Sequence, residues 1–211
     1  KIAPKSIYRD WDLKEKTIDV NSVLFEAIAT KNFKAKLEDC KPKHIVYQKL
    51  KESLRLLNTF PEDTIPFIIL RPKDKIGFNK PHRLIKTIKQ RLMYWHDMPK
   101  KDTLTNLYDK ETQEAVKLFQ ARHGLYPDGV IGKGTALAIN YTRNQRIEQV
   151  VSNLERWRWF ANDFGKNYLL INIPDYNIVA VKEKDTMLQQ RVVVGKDTRQ
   201  TPVIESKVTN I

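Results

Sequence analysis

The sequence predicts a multidomain, mainly α chain: a helical scaffold, then a three-helix module, then the first β-strands of an incomplete β domain. Three observations carry this reading. Apolar residues recur at helical spacing through successive segments up to Phe160. The stretch YDKETQEAVKLFQARHGLYPDGVIGKGTALAIN, residues 108–140, sets helix start and stop signals around a glycine-punctuated loop. From Tyr168 onward the apolar period shortens to that of strands.

In chain order, residues 1–16 are polar and aromatic and are expected to be irregular. Asp19 or Asn21 caps a helix carrying Val23, Leu24, Ala27 and Ile28, and a second short helix covers 33–39 until Lys41-Pro42. Tyr47, Leu50, Leu54 and Leu57 mark an amphipathic helix over 44–58, closed by Phe60-Pro61. Residues 65–70 are short, apolar and bounded by prolines, which suits either an isolated strand or an extended segment pinned on a neighbour. Residues 72–81 are lysine-rich and read as a linker. Leu84, Ile85, Ile88, Leu92 and Trp95 place the module's first helix at 83–95. Its second begins at the cap Asp109, with Glu111 in the first turn where the dipole favours negative charge. Ala115, Val116, Leu118 and Phe119 are assigned to the inward stripe, with charge and amide opposite. Gly124 is the stop, Leu125 folds back, Pro127-Asp128-Gly129 turns, and Thr135 caps a short third helix to Asn140. A further helix over 143–160 ends in two tryptophans, Trp157 and Trp159, expected to anchor a neighbouring domain. Strands follow at 168–173, 177–182 and 187–194, with more beginning at 201–203 and 206–211.

Composition narrows the partners. The formal charge is +13 with a pI near 9.7, which favours an anionic partner such as nucleic acid, anionic lipid or an acidic polymer. No nucleic-acid motif accompanies the charge, so no nucleic-acid partner is expected. No membrane span is expected, because no apolar run is long enough. Cys40 is the only cysteine, and His44, His82, His96 and His123 show no metal-ligand spacing, so no metal site is expected. His123 ends a helix, where a cation or a hydrogen bond to terminal carbonyls is useful. The run Gly129-Val-Ile-Gly132-Lys133-Gly134-Thr135 only superficially matches a phosphate loop. Pro127 stands where that pattern needs its first glycine, and Gly134 where it needs Ser or Thr.

Two resemblances follow from these residues. Ile88, Leu92, Tyr108-Asp109, Thr112, Ala115-Val116, Phe119-Gln120, His123-Gly124-Leu125, Asp128 to Gly132 and Thr135 together resemble the type 1 peptidoglycan-binding domain. That resemblance implies a shallow ligand groove beside Phe119-Gln120 and the loop with Asp128, Gly129 and Gly132. It also implies peptidoglycan as partner and no cofactor. The run Asn153 to Trp159, with Tyr168, Asn172-Ile173-Pro174, Tyr176, Arg191 to Lys196 and Thr201-Pro202, is similar to the entry of an L,D-transpeptidase catalytic domain of the YkuD-like class. The order of parts fits its large periplasmic subtype, a helical scaffold with an inserted wall-binding domain.

The implied division is scaffold 1–70, linker 71–82, wall-binding domain 83–141, connecting helix 142–163, and the start of the catalytic domain at 164–211. The implied activity is cross-linking of stem peptides through a cysteine acyl-enzyme, in the periplasm or cell envelope. No residue matches the family's catalytic Ser-His-Gly-Cys motif, so no catalytic residue is assigned, Cys40 is read as a bland thiol, and this chain alone is expected to be inactive. Two other readings stand beside this one: a non-catalytic wall-binding module of another peptidoglycan-processing enzyme, and a basic nucleic-acid-binding protein.

Overall fold

The structure is a computed structural model, and it describes residues 4–8, 10–13, 17–71, 73–160, 164–196 and 198–207. The described residues hold seven α-helices and a partial β region, so the chain is mainly helical as predicted. It divides into two compact units. One combines Lys1–Asn58 with Glu148–Ile211, and the other is the continuous stretch Thr59–Ile147.

In the first unit, β1 is Trp11–Asp12, α1 is Val20–Thr30, α2 is Phe33–Asp39 and α3 is Ile45–Thr59. Asp19 caps α1, accepting from the backbone of Asn21 and Ser22, and Asn32 caps α2 through Ala35. The return half of the unit holds most of α7, Arg143–Trp157, then β2 Asn167–Asn172, β3 Asn177–Lys182, β4 Asp185–Arg191 and β5 Val203–Ile204. Strands β2, β3 and β4 form an antiparallel meander, Leu169 facing Ala180 and Ala180 facing Leu188, with a register shift at Ala180/Val181.

The irregular N-terminus expected from the sequence is corrected in part. Trp11–Asp12 is a strand, pairing parallel to β5 with Trp11 opposite Val203. The partner lies at the far end of the chain, so no local signal announces it. β4 starts at Asp185 and ends at Arg191, earlier than expected, because only Glu183 and Lys184 make the hairpin turn. Residues 208–211 of the expected last strand, and residues 1–3, 9 and 14–16 of the N-terminus, lie outside the described residues.

Trp157 and Trp159, read from the sequence as anchors for a neighbouring domain, pack on residues of the N-terminal segment that folds into the same compact unit. Trp159 packs edge-to-face on Trp11, centroids 5.5 Å apart, in a cluster with Leu13, Phe160 and Val203. Trp157 stacks on His44 at 4.4 Å. The loop before β5 closes tightly. The Gly195 N–H donates to Thr201 Oγ1 at 2.7 Å, and a Cβ at Gly195 would stand 2.1 Å from the Arg199 carbonyl oxygen, so no side chain fits there.

In the second unit, α4 is Ile85–Tyr94, α5 is Lys110–Arg122 and α6 is Lys133–Ile139. Ile85, Ile88, Leu92, Tyr108, Val116, Phe119, Ile131 and Ile139 are fully buried and form the core. Leu125, expected there, is only partly buried. The inward stripe of α5 also needs correcting. Leu118 is 63% exposed, because it is rotated by about 100° from Phe119 and about twice that from Val116. Thr112 and Gln120 take the inward positions instead, so the amide is buried rather than opposite.

The segment before α4 is extended without being a strand, held by side chains that imitate one. Arg91, fully buried, pairs with Asp63 at 3.2 Å and donates to the carbonyls of Ile65, Pro66 and Ile139. Asn140 both donates to and accepts from the Ile68 backbone at 2.8 Å. Removing one partner of such a buried pair costs about 3–5 kcal/mol, since the other charge stays desolvated. The described residues of the expected linker 71–82 are stitched into the unit from Ile76 onward. Ile76 is buried and exchanges two backbone hydrogen bonds with Ile131, and Asn79 and Lys80 bond to Tyr108.

Phe119→Ala is expected to destabilise this unit by about 3–5 kcal/mol, as large core truncations do. Chemical denaturation of the chain checks it; a variant that unfolds with the wild-type midpoint would remove Phe119 from the core.

Candidate functional site

The site builds on the end of α5. His123 is the terminal cap, and Gly124, at φ 68°, turns the chain back. The Leu125 N–H reaches the Gln120 carbonyl at 2.8 Å, and the Gly124 N–H the Ala121 carbonyl at 3.2 Å. These are the paired bonds of a Schellman ending. The loop then turns at Asp128, whose Oδ1 accepts from the Val130 N–H at 2.8 Å. Gly129 follows at φ 70°, where a Cβ would also stand 2.8 Å from the Gln113 side chain.

One side chain holds this loop. Gln120 is 2% exposed. Its Oε1 accepts from the Gly129 N–H at 2.8 Å. Its Nε2 donates toward Asp128 Oδ1 at 2.9 Å, the Val130 carbonyl at 3.1 Å and Thr135 Oγ1 at 3.1 Å. The Tyr108 hydroxyl completes the frame, donating to the Gly129 carbonyl at 2.6 Å. Burial, with Asp128 and Asp109 nearby, raises the Tyr108 phenol so that it stays protonated. The Val130 N–H, followed by the Gln120 amide, lowers Asp128, so its carboxylate keeps its charge. The cap Asp109 shows the balance of effects. Burial alone would raise it, but Lys89 at 2.7 Å and the Thr112 hydroxyl and N–H outweigh that and bring it down to about 2.

The residues expected to bind ligand therefore divide. The side chains of Phe119 and Gln120 face inward, one as core and one as the brace of the loop. Gly129 is buried, Gly132 is half-buried, and Asp128 is exposed. What the loop offers outward is Tyr126, Pro127, backbone and the Asp128 carboxylate. Thr135 is not the cap of α6, as expected. Gly132 occupies that position without a side-chain bond, and the Thr135 hydroxyl is drawn inward to Gln120 and the Val130 carbonyl.

His123 also departs from expectation. It lies against Phe119, ring centroids 4.1 Å apart, and its Nδ1 has no hydrogen-bond partner among the described residues. Burial first, then Arg146 and Arg122, lower it to about 3, so it is neutral rather than a helix-ending cation. The His44 Nδ1 accepts from the Val46 N–H, its Nε2 meets the Tyr168 hydroxyl at 3.1 Å, and its face covers Trp157. Among the described residues no group of three His, Cys, Asp or Glu is placed to hold a metal, and no helix is long and apolar enough to cross a membrane.

Comparison with known proteins places the geometry in a class. Residues 82–139 match the family described as "Putative peptidoglycan binding domain", and residues 1–54 match one described as "Scaffold domain". The loop braced by Gln120 thus lies within the segment that matches the peptidoglycan-binding family. The chain is also 36% identical over 64 residues to a "Putative L,D-transpeptidase" of Haemophilus influenzae, a match covering 30% of this chain and 13% of that protein. These matches support the resemblance to an L,D-transpeptidase carrying a peptidoglycan-binding domain, over part of its length.

Two outcomes follow from the geometry. Gln120→Ala strands the Gly129 N–H and frees the loop, and is expected to cost about 1–3 kcal/mol; hydrogen exchange should show faster exchange at Gly129 and Val130, while unchanged protection there would dismiss Gln120 as the brace. His123 sets a pH effect. Its folded value lies below the unfolded value of 6.5, so the unfolded chain binds the extra proton. Its contribution is complete above pH 6.5 and lost as pH falls toward 3. Melting followed from about pH 7 to about pH 4.5 should show a decline that His123→Phe reduces; an equal decline in both proteins would contradict the assignment.

Proposed function

We propose that this chain is the peptidoglycan-binding portion of an L,D-transpeptidase that cross-links cell-wall stem peptides through a cysteine acyl-enzyme, acting in the periplasm or cell envelope. The single observation that carries the reading is the Gln120-braced loop in a segment that matches the peptidoglycan-binding family. The partial likeness to the Haemophilus influenzae protein supports the transpeptidase half. Within this reading the scaffold is the part of 1–70 that lies in the first unit, 83–141 is the wall-binding domain, with the segment from Thr59 onward packed into its unit, 142–163 is a connecting helix and 164–211 the start of the catalytic domain.

Binding works through the loop that spans Asp128, Gly129 and Gly132, with Phe119 and Gln120 fixing its shape from behind. A braced loop loses little conformational freedom when a polymer settles on it, so weak contacts suffice. The excess of cations adds a salt-sensitive attraction to an acidic wall. The catalytic step belongs to residues other than Cys40, around which no residue matches the family's catalytic motif.

Purified sacculi incubated with the chain at low and high salt test the binding. The expected result is retention that weakens with salt without disappearing. Loss of all retention at high salt would leave charge as the sole cause, and equal retention on DNA at moderate salt would favour a nucleic-acid reading.

A further inference from the structure

A second extended segment is bonded to the braced loop. Ile76 and Ile131 exchange two backbone hydrogen bonds, at 3.1 and 3.0 Å, and both side chains are buried. The pairing is antiparallel, so Lys75 falls opposite Gly132 and Gly77 opposite Val130. Side chains alternate along an extended chain. With Ile76 and Ile131 turned into the core, Lys75, Gly77, Val130 and Gly132 share the outer side. Two of these are glycines, and a Cβ on either would meet nothing within 4 Å. The outer side is therefore largely bare backbone. It is also held in place. The Asn79 N–H donates to the Tyr108 carbonyl at 2.9 Å, the Tyr108 N–H donates to the Lys80 carbonyl at 3.1 Å, and the Tyr108 hydroxyl holds Gly129. Two charges stand at the rim, Lys75 and Asp128, both exposed. Lys75 is in no ion pair among the described residues. The Val130 N–H foremost, and Lys75 among the charges, hold the Asp128 carboxyl below its ordinary value, so the two rim groups lie within electrostatic reach of each other. Asp128 engages the Val130 N–H and the Gln120 amide through Oδ1, which leaves Oδ2 at the rim.

We propose that this bare two-stranded ribbon seats a stem peptide of the wall, with a peptide carboxylate on the Lys75 ammonium and a peptide ammonium on Asp128 Oδ2. The inference rests on the wall-binding reading above and names the part of the polymer that is bound. A stem peptide that can be cross-linked carries a free amine as well as carboxylates. It therefore matches a rim made of one cation and one carboxylate. A polyphosphate would meet Asp128 with like charge, which is costly at a contact. The seat itself favours a peptide, because glycines let a second backbone approach closely. Since the ribbon is already pinned to Ile131 and Tyr108, it loses little freedom when the peptide settles on it.

The test uses the full chain with four supports: purified sacculi, sacculi whose carboxylates are amidated, sacculi whose amines are acetylated, and glycan strands stripped of peptide. Wild type should bind each modified support at least about threefold more weakly than untreated sacculi. Lys75→Gln should weaken binding to untreated sacculi by a similar factor and no longer distinguish the amidated ones. Asp128→Asn keeps Oδ1 and should no longer distinguish the acetylated ones. Gly77→Leu covers the seat where a Cβ meets nothing, so it should melt like wild type and bind untreated sacculi more weakly. Lys34→Gln removes the same charge from an exposed position in the first unit and should bind like wild type. Wild-type retention by both Lys75→Gln and Gly77→Leu would overturn the seat and leave wall binding standing. A loss in Lys34→Gln equal to that in Lys75→Gln would overturn it in favour of net charge. Equal binding of wild type to stripped glycan and to sacculi would overturn the peptide assignment. Failure of wild type to bind untreated sacculi would bring down the wall-binding reading itself.

Discussion

The geometry of the wall-binding unit depends on one buried amide. Gln120 has a donor and an acceptor end, and the loop from Asp128 to Thr135 presents both kinds of partner to it. A carboxylate at that position would face Asp128 with like charge, and an aliphatic side chain would leave the Gly129 N–H buried without a partner. Either alternative loses more than a single net hydrogen bond, because an unsatisfied buried group bears its full desolvation cost. The Tyr108 hydroxyl at the Gly129 carbonyl and the Schellman ending of α5 then have a fixed loop to attach to. The helix end, the turn and the start of α6 form one cooperative piece for this reason.

Charge is used in the same way deeper in the unit. Arg91 and Lys89 sit on α4 among isoleucines and leucines, and each is almost wholly buried. Neither is left to an apolar surrounding. Arg91 gathers Asp63 and three carbonyls, and Lys89 gathers Asp109 and Thr105. Since a buried ion pair adds little net stability over apolar packing, its value here is register. It fixes which residues of the preceding segment lie over α4 and which cap begins α5.

What was legible in the sequence was whatever is encoded locally. The caps Asp19 and Asp109, the stop at Gly124 and the apolar periods of α1 to α7 all act within a few residues, and the helices follow them closely. The phenylalanine-glutamine pair with the Asp-Gly loop was legible as a combination, although not the direction of its side chains. Leu118 and Gln120 exchange sides from the reading because hydrophobicity was taken as the guide to burial. The amide is buried only because the loop returns to satisfy it. Lys89 did carry a signal, standing four residues after Ile85 and so on the buried face. Its partner Asp109 is twenty residues on, past a loop. The pairings of Asp63 with Arg91, Ile76 with Ile131 and Trp11 with Val203 bring together distant positions. Periodicity says nothing about such pairs, and they are the ones the sequence reading lacked.

The strand pairing of Trp11–Asp12 with Val203–Ile204 has a consequence for how the molecule is made. A ribosome delivers the first unit's opening residues long before their partners. The wall-binding unit, being continuous, has all of its chain available as soon as Ile147 is out. The opening segment must keep Trp11 and Leu13 without their cluster until Trp159 and Val203 emerge. The order of folding thus differs from the order of position: Thr59–Ile147 has what it needs to fold first, and Trp11 waits for Val203.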